Sequence, residues 1–134
     1  MSVPTGKRNV SSMEFLMNAR QLELFTLQHT KKWPQRWRFE LSAPLIADAR
    51  YIYEELKEGN NIWPSNSHEA QTRKDHFLNA RGRADSMIAQ IEIACEFLEV
   101  NPKVLQSWSS LIATEITLIN GIIDSDKKRY KFHN

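Results

Sequence analysis

The chain has 134 residues, 41% hydrophobic and 25% charged, a balance that suits one globular domain and excludes a disordered or collagen-like chain. Gly and Pro number only 4 and 5, too few for the turn every ten residues or so of a β-sandwich, so the elements must be long. The net charge of +2 is far from that of a histone-like chain, so the placement of charge has to carry any nucleic-acid argument.

Residues 1–10 are polar, contain Pro4 and Gly6, and read as a flexible arm before a domain over residues 11–134. They lack the apolar core of a signal peptide, and no later run approaches the roughly 18 apolar residues of a membrane span. Ser11 and Glu14 form a capping box. Behind it Phe15, Ala19, Leu22, Phe25 and His29 share one helical face, widened by Leu16, Leu24 and Leu27, which predicts a helix over residues 12–31.

The second helix has two possible starts. Pro34 can open it as a first-turn proline, which places Pro44 inside and forces a kink over residues 39–41. Alternatively the helix begins at Ser42 with Pro44 in its first turn. From Leu45 the stripe is clear, through Ala49, Ile52, Tyr53 and Leu56, and Gly59 marks its end.

Ser67 caps a long third helix. Phe77, Ala80, Ala84, Met87, Ile91, Ala94 and Leu98 alternate in steps of three and four, a heptad seam. Asn101-Pro102 is a helix start, and Leu105, Trp108, Ile112, Ile116, Ile119 and Ile123 make the fourth stripe, with residues 124–134 fraying. Its β-branched residues favour a strand locally, but the 3.6-residue period prevails. Four amphipathic helices with short connections define an all-α protein, an antiparallel up-down four-helix bundle.

A search for catalytic chemistry finds no phosphate loop, dinucleotide fingerprint or nucleophile elbow. Glu-x-x-His, the signature of di-iron bundles, is absent. His29, His68, His76 and His133 are scattered, which predicts no metal site and no cofactor. Cys95 reads as a small buried hydrophobe beside the third seam; as the single cysteine it excludes an internal disulfide and fits a cytoplasmic location. Glu54, Glu55 and Glu58, like Glu92, Glu96 and Glu99, read as solvated helix faces. Glu115, between Ile112 and Ile119, reads as an edge residue reaching a basic neighbour. The protein is therefore expected not to be an enzyme.

The positive charge is clustered. Lys31, Lys32, Arg36 and Arg38 interleave with Trp33, Trp37 and Phe39. Arg73, Lys74, Arg81 and Arg83 form a second group, and Lys127, Lys128, Arg129 and Lys131 a third. In an up-down bundle the first group sits at one end. The third group meets Arg73, Lys74, Lys7 and Arg8 at the other. Basic clusters neutralise phosphates, and aromatic neighbours stack on bases. The first two groups are therefore the candidate nucleic-acid-binding residues. Trp33, Trp37, Phe39 and Trp63 lie in or beside connections and are candidates for a partner or subunit interface.

The segment Pro34-Gln35-Arg36-Trp37-Arg38-Phe39-Glu40-Leu41, followed by Ile52-Tyr53-Glu54-Glu55-Leu56-Lys57-Glu58-Gly59-Asn60, resembles the accessory variability determinant (Avd) family, relatives of the four-helix proteins encoded in rRNA intervening sequences. The Arg-rich start of the third helix, Ile91 to Leu98 and Trp108-Ser109 extend the resemblance over residues 13–128. It implies a non-enzymatic accessory of a diversity-generating retroelement, a four-helix protomer in a pentameric barrel. Such a protein binds a reverse transcriptase and its template RNA or DNA and supports mutagenic cDNA synthesis. The alternative from the residues is a structural, self-associating bundle of phage or mobile-element origin with protein partners only.

Overall fold

Each apolar stripe becomes one helix. A computed structural model describes the backbone of residues 5–132 and the side chains of residues 13–132. Its α-helices are α1 (Thr5–Thr30), α2 (Ala43–Asn60), α3 (Ser67–Phe97) and α4 (Pro102–Arg129), and no strand occurs among the described residues. They pack in a cycle, α1 and α3 each against both α2 and α4, around one core. None is long and apolar enough to cross a membrane.

The seam of α3 is buried as its spacing requires: Phe77, Ala80, Ala84, Met87, Ile91 and Ala94 are inside, with Leu98 half-buried at its end. Phe15, Leu16, Ala19 and Leu22 of α1, Leu45, Ala49, Ile52 and Leu56 of α2, Cys95 of α3, and Trp108, Ile112, Ile119 and Ile123 of α4 complete the core. Each large side chain removed from water contributes roughly 1.5–3 kcal/mol. Trp108 is the largest, and its one polar atom is satisfied: Nε1–H donates to Thr26 Oγ1 at 3.1 Å, and Thr26 in turn donates to Leu22 O at 2.8 Å.

The ends of the elements differ from several expectations. α1 already runs from Thr5, so the Ser11–Glu14 box lies inside the helix and does not open it at residue 12. Residues 1–4 of the expected arm and the Ser11 side chain lie outside the described residues. Between α1 and α2 the chain takes a 3-10 turn over Gln35–Trp37 and then a π-helical turn over Arg38–Ser42. The α-helix proper begins at Ala43 with Pro44 in its first turn. In the wide turn Ala43 N–H reaches five residues back to Arg38 O, so Pro44, which has no N–H to give, enters after a turn that needs none from it. α4 does not fray at residue 124 but continues to Arg129, held near its end through Asp126.

Asn66 Oδ1 accepts from Glu69 N–H at 2.8 Å, so the cap of α3 is Asn66, one residue before the expected Ser67. α3 closes with Glu99 in the left-handed region, φ 55°, while Val100 N–H bonds Cys95 O at 2.9 Å and Glu99 N–H bonds Glu96 O at 3.2 Å. This is a Schellman closure on a residue other than glycine.

Candidate nucleic-acid interface

The connection between α1 and α2, residues 31–42, exposes a concentrated positive charge. Lys31, Lys32, Arg36 and Arg38 are all exposed, and among the described residues none pairs with a carboxylate. Arg36 lies over the Trp37 ring at 5.7 Å. The aromatics divide. Trp33 packs inward on Trp108, centroids 5.8 Å apart, and Trp37 meets Phe97 edge-on at 4.9 Å, both half-buried. Phe39, carried on the π-helical turn, is 85% exposed. A cleft of about 450 Å³ opens beside them, lined among others by Thr30, Lys31, Trp33 and Arg38. Burial, and then the Lys32 charge, lower the pKa of neighbouring His29, so its imidazole is neutral at pH 7.

The second predicted group is not one surface. Arg73 is buried: its Nε and Nη2 hold the two oxygens of Asp126 at 2.7 and 3.3 Å, and Nη1 donates to Gly59 O and Ile62 O at 3.3 and 3.1 Å. The guanidinium also lies over the Phe77 ring at 4.9 Å and over the Tyr130 ring at 5.6 Å. It joins α2, α3 and α4, and its charge is not presented for phosphate, a correction to its place among the binding residues. Arg83 is partly committed as well, to Asp48 at 3.1 Å and to the Tyr51 ring at 4.4 Å. Arg81 donates to Asn120 Oδ1 at 2.8 Å.

Lys74 instead joins the third group. With Lys127 and Lys131 it lines a cleft of about 350 Å³ that also contains Tyr130 and Phe132, whose rings are stacked at 6.5 Å. Lys128 and Arg129 are exposed beside it, while Lys7 and Arg8 lie outside the described side chains. Trp63, 80% exposed, and Arg129 line another cleft, of about 380 Å³, with Met13 and Tyr130.

Glu115 is fully buried rather than at an edge, and no basic residue among those described reaches it. Asn18 Nδ2 donates to its Oε1 at 2.8 Å, and Oε2 has no hydrogen-bond partner among the described residues. Burial pushes its pKa up to about 8, against the smaller opposing effect of Asn18, so the carboxyl is held neutral near pH 7. Cys95 is buried, and burial raises its thiol pKa, which makes it a poor nucleophile. Glu55, read as solvated, is also buried, between α2 and α3, where His76, Asn79 and Tyr51 surround its carboxylate. Sequence spacing missed this cluster because its members come from two helices.

No protein-family model, no curated protein and no solved structure matches the chain.

Proposed function

We propose that the protein is a non-enzymatic nucleic-acid-binding bundle, an accessory that holds template RNA or DNA and a reverse transcriptase together in a diversity-generating retroelement. The observation that carries the binding is the group Lys31, Lys32, Arg36 and Arg38. These are four exposed cations without carboxylate partners among the described residues, beside a cleft and the free face of Phe39. Unpaired cations release phosphate counterions on contact, and an exposed ring stacks on any base. The Lys74, Lys127 and Lys131 cleft supplies a second basic surface. The accessory role rests on the sequence resemblance to the Avd family.

The antiparallel up-down order of the helices is supported by paired contacts: Asn18 meets Glu115 while Thr26 meets Trp108, and Arg73 meets Asp126 while Arg81 meets Asn120. In that order the two basic surfaces stand at opposite ends. Assembly into a homopentamer, as in the Avd family, repeats each surface around a ring, so that weak contacts add by avidity. Fluorescence anisotropy with labelled single-stranded RNA and duplex DNA tests the binding. Affinity must fall with salt, by about 0.7 or 0.9 log units per log unit of salt for each phosphate neutralised. Absence of salt-dependent binding at roughly 50 mM salt contradicts it.

Exposed Phe39, Ile93 and Phe97 favour a second reading, a self-associating bundle with protein partners only. Light scattering combined with the anisotropy separates the two. Assembly with nucleic-acid binding supports the first, and assembly without it the second.

A further inference from the structure

We propose that Glu55, Glu58 and His76 form a Zn²⁺ site across the seam between α2 and α3. This is independent of nucleic-acid binding. The backbone brings the ligands together. Gly59 lies where a Cβ would stand 2.6 Å from Phe77 Cε1 and 3.1 Å from His76 Cβ, so α2 and α3 approach more closely here than a larger residue permits. That approach sets His76 of α3 against the last turns of α2, which carry Glu55 and Glu58 three residues apart.

The ligand atoms already stand at metal spacing. His76 Nδ1 is 3.0 Å from Glu55 Oε2 and 3.6 Å from Glu58 Oε2, and one ligand atom from each residue lies within 4.8 Å of the others. Tetrahedral bonds of about 2.0–2.2 Å separate neighbouring ligand atoms by roughly 3.3–3.6 Å, so small side-chain shifts admit the ion. Glu55 is also oriented. Its other oxygen, Oε1, accepts from Asn79 Nδ2 at 2.9 Å and from Tyr51 Oη at 3.2 Å, which turns Oε2 towards His76. Outer hydrogen bonds of this kind hold metal carboxylates in place. The side chain of Glu58 is 63% exposed, so the site opens to water for the remaining coordination position.

A simple histidine–glutamate ion pair accounts for Glu55 alone. Glu58 Oε2 approaches the same nitrogen at 3.6 Å, which gives the pair a third donor. A divalent ion on Nδ1 engages both carboxylates at once. Mixed imidazole and carboxylate donors suit Zn²⁺ better than Mg²⁺, which keeps its water and prefers oxygen.

The test is calorimetric titration of the chelator-treated full chain with zinc chloride in excess Mg²⁺, with Co²⁺ absorption as a second readout. One equivalent should bind, raise the thermal midpoint, and give the visible bands of low-coordinate Co²⁺. Glu58→Gln, at an exposed position, should leave the metal-free midpoint unchanged and weaken Zn²⁺ binding at least about ten-fold. His76→Gln should do the same to affinity and abolish the Co²⁺ bands. Failure to bind an equivalent of Zn²⁺, or wild-type affinity in Glu58→Gln, overturns the proposal. If His76→Gln does not fold, the Glu58→Gln result decides alone.

Discussion

Arg73 and Asp126 face each other across the seam between α3 and α4 in a two-pronged ion pair, Nε to Oδ2 at 2.7 Å and Nη2 to Oδ1 at 3.3 Å. Only 7% and 14% of the two side chains remains exposed. The same guanidinium takes the carbonyls of Gly59 and Ile62, so one side chain fixes the end of α2, the loop after it and the last turns of α4. Planar, five-donor geometry makes arginine the residue for this task; a lysine cannot reproduce it.

Removing that side chain leaves the Asp126 carboxylate without its ion pair and takes one donor from each of the Gly59 and Ile62 carbonyls, of which Gly59 O keeps Ile62 N–H at 3.1 Å. Arg73→Ala should therefore lower stability by about 3–5 kcal/mol, and Arg73→Lys should recover only part of it. Arg81→Glu, which removes an exposed hydrogen bond to Asn120, should stay within about 0.5 kcal/mol of wild type. Urea denaturation followed by circular dichroism measures all three. Equal losses for Arg73→Ala and Arg81→Glu would show that the buried pair has no special weight.

Glu115 makes stability fall as pH rises. Its folded pKa is raised to about 8, above the ordinary glutamate value of 4.5. Between these values the folded chain holds a proton that the unfolded chain has lost, so the stability of the folded state declines through the window. Glu115→Gln keeps an acceptor for Asn18 and cannot ionise. The variant should match wild type near pH 4.5 and become more stable than it, on the order of a few kcal/mol, by pH 9. Urea titrations across that range check it; a difference that does not change with pH would refute the neutral carboxyl.

Glu99 occupies the left-handed region between α3 and α4, with φ 55°. A residue with a Cβ is strained there by about 1–2 kcal/mol, and glycine is not. Glycine's greater freedom in the unfolded chain offsets part of the gain. Glu99→Gly should raise stability by up to about 1 kcal/mol, read from the thermal midpoint, whereas an equal or lower midpoint would contradict the strain.

The helices are legible in the sequence because their buried positions repeat. Phe77 to Leu98 and Leu45 to Leu56 can be read directly from the spacing of apolar residues. The polar residues inside the core are harder to read because burial of a charge depends on partners from other helices. Yet the signal is there. Arg73 stands four residues before Phe77 and continues its seam by one step, and Glu115 stands three after Ile112 and four before Ile119. Both occupy core positions that residue type argues against. The π-helical turn before Pro44 has no period of its own; the sequence marks it only through Pro44, which allows a kink over residues 39–41 as one of two alternatives. At the candidate interface, clustering along the chain picks out Lys31, Lys32, Arg36 and Arg38, all of which face water, but it also groups the buried Arg73 with exposed residues.

The central claim, that exposed cations between α1 and α2 bind nucleic acid, is tested most directly by reversing them. Lys31→Glu, Lys32→Glu, Arg36→Glu and Arg38→Glu combined should weaken binding of single-stranded RNA strongly in anisotropy. The log–log salt slope should shrink by about 0.7 for each phosphate that is no longer neutralised. Circular dichroism should remain that of wild type, because all four side chains lie outside the core. Unchanged affinity and slope in a folded quadruple variant would contradict the claim.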